Sequence, residues 1–167
     1  MIGEEEKVMT APAAGSVPPL VAGQTYQEMK VGSVFRTPAR TITETDLVLF
    51  RQLVGVSEPL FMDAEHARSV GYTGRLIPGM MVFSYAEGLV LQTNVLHGTG
   101  MAFMQTDLSI SAPVYVGDTL TVVVEVTESR PASRGNRGVV TTRNTVHNQR
   151  DEVVLTYNPV RLIRGGE

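Results

Sequence analysis

The chain has 167 residues and no cysteine, and its 14 Lys and Arg against 17 Asp and Glu leave a net charge of −3. That length suffices for one domain whose core needs no covalent staples. The missing cysteines exclude a disulfide framework, a thiol nucleophile and Cys-ligated zinc, and no long basic run offers a footprint for nucleic acid.

Residues 1–23 are rich in Glu, Ala, Pro and Gly and show neither helical nor strand periodicity, which predicts a mobile tail ahead of a single domain over 24–167. The start MIGEEEKVMT lacks the basic region and apolar core of a secretory signal. The longest apolar stretches fall short of a membrane span, so no membrane association and a cytoplasmic location are expected.

Next, SVFRTPARTIT reads as a first strand that Pro38 confines to an edge or a bulge. TETDLVLFRQLVG offers Thr43 as a cap, Asp46 in the first turn and Leu47, Phe50, Leu53 and Val54 at helical spacing, with a stop at Gly55. After the turn GVSEPLFM, Asp63 caps a second short helix, DAEHARSV, which Gly71 ends.

The segment GMMVFSYAEGLVLQTNVL follows. Between Arg75 and His97 its only charge is Glu87, and apolar side chains fall on every side, which predicts a long buried central helix. From Gly98 the period changes to two: Leu108, Ile110, Ala112 and Val114 alternate with polar residues, as do Leu120, Val122, Val124 and Val126. GVVTTRNTVHNQ and EVVLTYNPVRLI complete four antiparallel strands, with reversals at 116–118 and 134–138. One strand, short helices, a long helix and four strands predict an α+β hotdog fold, a curved antiparallel sheet wrapped around a central helix.

With those residues in view, the body resembles the MaoC-like dehydratases, the family that includes (R)-specific enoyl-CoA hydratases. The resemblance rests on TETDLVLFRQLVG, EPLFMD, GRLIPGMMVFS, APVYVGDTL and RGVVTTRNTVHNQRDEVV. In that family the turn usually reads Gly-Asp-x-Asn-Pro-x-His-x-Asp, and its Asp and His activate the water that adds to an enoyl thioester. On this chain the Asp position is Val56, the Asn position Glu58 and the His position Phe61, and neither Val nor Phe carries a proton. At the head of the central helix the family's His-Gly-Met is Pro78-Gly79-Met80, so the resemblance keeps the Gly79 amide as an oxyanion donor.

The candidate site therefore pairs catalytic Gly79 and Glu87 with a substrate-binding wall of Val56, Glu58, Phe61, Met80 and Ser84. Glu87, Ser84 and Asn94 form a polar stripe on the central helix, and a desolvated carboxylate there serves either as a base or as a hydrogen-bonded core or interface residue. Thioesterases of another hotdog family place their catalytic Asp or Glu eight residues after the oxyanion glycine, a separation that Gly79 and Glu87 reproduce. Glu58, before a proline in a turn, is expected to be solvated rather than a second carboxylate of the site. Asp63 is expected to cap, and His66, His97 and His147 are too scattered for a metal site. Arg134 and Arg137 read either as solvated loop cations, the commoner case, or as partners for CoA phosphates, and Met80, Met81, Met101 and Met104 read either as an adaptable acyl pocket or as core filler.

The resemblance implies an acyl-CoA or acyl-carrier thioester as ligand, with standard hydration chemistry lost or rerouted. A Glu87-dependent thioesterase and a non-catalytic subunit paired with an active homologue are the alternatives. It implies a homodimer or heterodimer, no metal and no separate cofactor, since CoA or pantetheine arrives as part of the substrate.

Overall fold

The computed structural model describes residues 21–166. Most of the expected tail, residues 1–20, lies outside them, but Gly23 is already tied to the body. Its N–H donates to the His97 carbonyl at 2.8 Å, and a β-carbon there would run into the His97 backbone.

The N-terminal strand is interrupted at Thr37-Pro38 into β1 (Val34–Arg36) and β2 (Arg40–Thr41), both paired with the long later strand Thr119–Pro131. α1 (Glu44–Val54) opens on a reciprocal cap in which the Thr43 hydroxyl accepts from Asp46 N–H and the Asp46 carboxylate accepts from Thr43 N–H. It ends at Gly55, whose φ of 74° requires a left-handed residue. The following turn contains one helical turn, α2 (Pro59–Met62), and Asp63 then caps α3 (Ala64–Ser69) by accepting from Glu65 and His66 N–H.

α4 (Gly79–Gln92) is the central helix, four residues shorter than its apolar run. The Thr93 hydroxyl donates to the Val90 carbonyl and Asn94 adopts φ 60°, so the chain leaves the helix before Val95 and Leu96. The sheet that receives it comprises β3 (Gly100–Gln105), β4 (Leu108–Ile110), β5 (Thr119–Pro131), β6 (Arg137–His147), β7 (Val153–Tyr157) and β8 (Val160–Arg164). β6 pairs with β5 on one side, and with β8 and then β7 on the other. β3 and β4 pair with β8 and β7 respectively and form the open edge.

Two of the expected strands differ in length. The run 107–114 contributes only β4, because Ser111 and Ala112 N–H both turn to the Val154 carbonyl. The run 152–163 breaks at Asn158-Pro159, opposite the break at Thr106-Asp107. There the Asp107 carboxylate accepts from both Asn158 N–H and Asn158 Nδ2, so the two neighbouring strands bend at the same level and the sheet curves.

The core is the inner face of α4, with Met81, Val82, Ala86, Leu89 and Val90, seated on Leu120, Val122 and Val124 of β5, Val146 of β6 and Val154, Leu155 and Tyr157 of β7. The expectation of a helix buried on every side is corrected by its outer stripe. Met80, Ser84 and Leu91 are exposed, at spacings of four and seven residues, and exposed Met101, Phe103 and Met104 stand on the open edge strand. Apolarity all round thus means two faces to cover, of which this protomer's sheet covers one.

Candidate functional site

Two clefts flank α4 and share no lining residue. The first, about 300 Å³, lies at the helix head between α2, the loop before α4, and the β4 to β7 end of the sheet. Its walls include Phe61, Tyr72, Ile77, Gly79, Val82, Ile110 and Leu155. Gly79 opens α4 with no side-chain cap at Pro78, so its N–H is one of the first-turn donors that have no partner within the helix. Among the described residues that line this cleft there is no carboxylate and no imidazole, and Tyr72 is the only ionisable side chain.

The structure thus brings together two of the residues singled out from the sequence, Phe61 and Gly79, and separates the others. Val56 is half-buried in the turn before α2, where its carbonyl accepts from Arg51 Nε, and it does not line the cleft. Glu58 is exposed and caps α2 through its backbone alone. Met80 is 65% exposed and Ser84 spends its hydroxyl on the Met80 carbonyl, both on the outer stripe rather than in the wall. Asn94, outside the helix, is no longer in line with Ser84 and Glu87. Arg134 and Arg137 sit at the far end of β6 from Val146 and His147, which face the cleft-lining β7, a strand distance of about 30 Å.

Glu87 borders the second cleft, about 320 Å³, with Leu91, Met101, Phe103 and Arg161. Eight residues of α-helix place it about 12 Å along the axis from Gly79. Its carboxylate is fully engaged: Arg161 Nη2 donates to both oxygens at 2.6 and 2.7 Å, and the Tyr157 hydroxyl donates to Oε1 at 2.7 Å. Arg161 Nη1 reaches the Thr142 hydroxyl at 3.4 Å, Thr142 donates in turn to Asn144 Oδ1, and the Phe103 ring lies against the guanidinium. Burial, and then the charge and hydrogen bond of Glu87, push the Tyr157 hydroxyl well above the ordinary phenol range.

Sequence reasoning missed this network, although it left a signal. Thr142, Asn144 and Arg161 occupy the inward phase of strands whose other inward residues are apolar, and among the described residues Arg161 is the buried cation that meets the one charge on α4.

A second polar cluster holds α1 to α4 away from either cleft. Arg40 stacks on the Tyr85 ring at 4.4 Å and donates to Asp46 at 2.9 Å. Burial alone would raise the Asp46 carboxyl, but the Thr43 hydroxyl and amide, the Tyr85 hydroxyl and Arg40 together hold it at about 2. Burial, and the bond to Asp46, push Tyr85 up to about 12. Among the described residues no group of His, Asp and Glu is arranged to hold a metal, and no helix is long and apolar enough to cross a membrane.

Comparison with known proteins adds the following. A family model described as FAS1-like, dehydratase domain region, matches residues 29–157. The chain is 32% identical over 102 residues to a mitochondrial 3-hydroxyacyl-[acyl-carrier-protein] dehydratase of Solanum lycopersicum, covering 61% of this chain and 59% of that one. It is 33% identical over 140 residues to the beta-methylmalyl-CoA dehydratase of Chloroflexus aurantiacus, covering 81% of this chain and 38% of that one. The chain therefore spans less than two thirds of the length of either relative. Among solved structures, a monoamine oxidase regulatory protein from Archaeoglobus fulgius superposes with a TM-score of 0.81 at 32% identity, over 88% of this chain and 98% of that one.

Proposed function

Because the chain belongs to the FAS1-like dehydratase-region family, the MaoC-like hotdog dehydratases, we propose that it binds acyl thioesters at the head of α4 and that the family's water-adding chemistry is lost or rerouted. The observation that carries this reading is the wall of the cleft: a helix-head amide, Gly79, faces an apolar lining that includes Phe61 and holds no carboxylate or imidazole.

The physics of such a cleft favours retention over turnover. Its volume is at the lower end of the range for small-molecule sites, roughly 300–1,000 Å³, which suits a short acyl chain and its thioester and leaves the nucleotide of CoA outside. Each methylene buried gains about 0.8 kcal/mol, so a four-carbon tail contributes roughly 2–3 kcal/mol. The Gly79 N–H polarises a thioester carbonyl, and a donor so placed is worth about 10²–10³ in rate. Adding water also requires a proton acceptor within hydrogen-bond reach, worth about 10²–10⁴, and the lining supplies neither the carboxylate nor the imidazole that would serve near neutral pH. CoA or a carrier's pantetheine enters as part of the ligand, in keeping with one relative named for a carrier-protein substrate and the other for a CoA substrate.

The same geometry speaks to the alternatives. A Glu87-dependent thioesterase needs a free carboxylate near the polarised carbonyl, whereas Glu87 is engaged by Arg161 and Tyr157 and borders the other cleft. The subunit reading is supported by the uncovered stripe of Met80 and Leu91 beside the open edge strand with Met101 and Phe103. A second protomer, identical or an active homologue, is proposed to cover that face.

The test is incubation with a panel of acyl-CoA and enoyl-CoA species, followed by mass spectrometry of protein and supernatant. Retained thioester without hydrated or hydrolysed product is the expected result. Hydrated product would show that a proton-handling pair operates after all, and hydrolysis that disappears in Glu87→Gln would establish the thioesterase. Failure to retain any thioester would remove the ligand class.

A further inference from the structure

At the head of α4, Gly79 has no side chain, and the space beside its α-carbon is filled from across the cleft. A β-carbon placed on Gly79 would collide with Ile110 Cδ1, and Ile110 Cγ1 would lie 3.3 Å away. Both residues line the same cleft, and the isoleucine methyl packs against the α-carbon that opens the first turn of the helix.

Ile110 is poorly anchored for a residue in such a position. It is 58% exposed and ends a three-residue strand that pairs on one side only, with Leu155 of β7 opposite it. An apolar side chain on an open edge strand, with its terminal methyl lodged against a glycine and its remaining surface uncovered by its own protomer, can rotate without disturbing that protomer's core. A single χ rotation moves Cδ1 away from Gly79, and a branched residue has few other ways to yield.

Building on the acyl-thioester reading above, we propose that Ile110 gates the helix-head amide, its δ-methyl occupying the place of the thioester carbonyl until a ligand displaces it. Ile110 is thus a specificity-determining residue: it penalises ligands that gain nothing at the amide and admits those whose carbonyl compensates for the displaced methyl. The ligand feature it selects is the thioester carbonyl rather than the acyl tail.

The experiment is calorimetric titration of the full chain with butyryl-CoA and with S-butyl-CoA, the thioether that keeps the tail and lacks the carbonyl. Ile110→Val removes the single methyl at issue from an exposed position, and Ile110→Ala removes the rest of the branch. Displacing a side chain from its rotamer corresponds to about two- to tenfold in affinity. Ile110→Val is therefore expected to tighten butyryl-CoA by about that factor and leave S-butyl-CoA unchanged, with Ile110→Ala at least as strong on the thioester. Equal tightening of both ligands would show that Ile110 merely takes up volume, and no tightening of either would show that it does not stand in the carbonyl's way; both overturn the gate and leave the ligand class intact. Absence of binding by wild type and variants alike would overturn the ligand class and the gate together.

Discussion

Replacing Glu87 with Gln separates a structural carboxylate from a chemical one. In the wild type the Glu87 and Arg161 side chains are 16% and 7% exposed, and the guanidinium donates to both carboxylate oxygens. Glutamine keeps an amide oxygen at the position that accepts from both Tyr157 and Arg161 but loses the charge, which leaves the Arg161 guanidinium buried without a counter-charge. Removing one partner of a buried pair costs about 3–5 kcal/mol. At this chain length each kcal/mol corresponds to about 2–4 °C, so Tm is expected to fall by roughly 6–20 °C. Adding Arg161→Met removes the stranded charge and is expected to recover at least half of the loss, since a buried pair exchanged for apolar groups is often close to neutral. Thermal and urea unfolding of wild type, Glu87→Gln and the double variant supply the comparison. A single variant within about 1 kcal/mol of wild type, or a double variant no better than the single, would refute the claim that Glu87 serves the fold.

Asp46→Asn addresses the clamp between α1 and α4. Folding lowers the Asp46 carboxyl from 3.8 to about 2, so its contribution to stability is complete above the unfolded value and disappears as pH falls from about 3.8 through about 2. Tm measured against pH is expected to show that acid limb in wild type and a shallower one in the variant. Asp107→Ala removes the clasp on Asn158 at the bend of the sheet and is expected to cost about 1 kcal/mol in urea unfolding, the value of an exposed hydrogen bond. Phe61→His is expected to give no hydration of crotonyl-CoA above the rate in buffer, because no carboxylate lines the cleft to act with the new imidazole.

Much of the fold was legible because local signals agree with the tertiary outcome. Leu120, Val122, Val124 and Val126 alternate inward along β5 as their spacing requires, and Thr43 with Asp46, Asp63 and Gly55 cap where their side chains or backbone freedom demand. The strand β3 was not legible: every residue of GMAFMQ is exposed in the protomer, so no burial imposes a period of two. The same open face explains why apolarity around α4 was mistaken for burial within one chain. At the site, the sequence singled out Phe61 and Gly79, and both line one cleft because they sit at fixed offsets within a turn and a helix start. It could not place Glu87, whose role is decided by Arg161 and Tyr157 some 70 residues away in a register that only the paired strands establish.

The central claim is that this cleft receives an acyl thioester and lacks the proton-handling pair that would add water to it. The measurement that tests it most directly is the rate of crotonyl-CoA hydration by the purified protein, followed as loss of enoyl-thioester absorbance at a ligand concentration where binding has been verified. The account predicts retention with no hydration beyond the rate in buffer; turnover of about 1 s⁻¹ or faster, the range of ordinary enzymes, would contradict it.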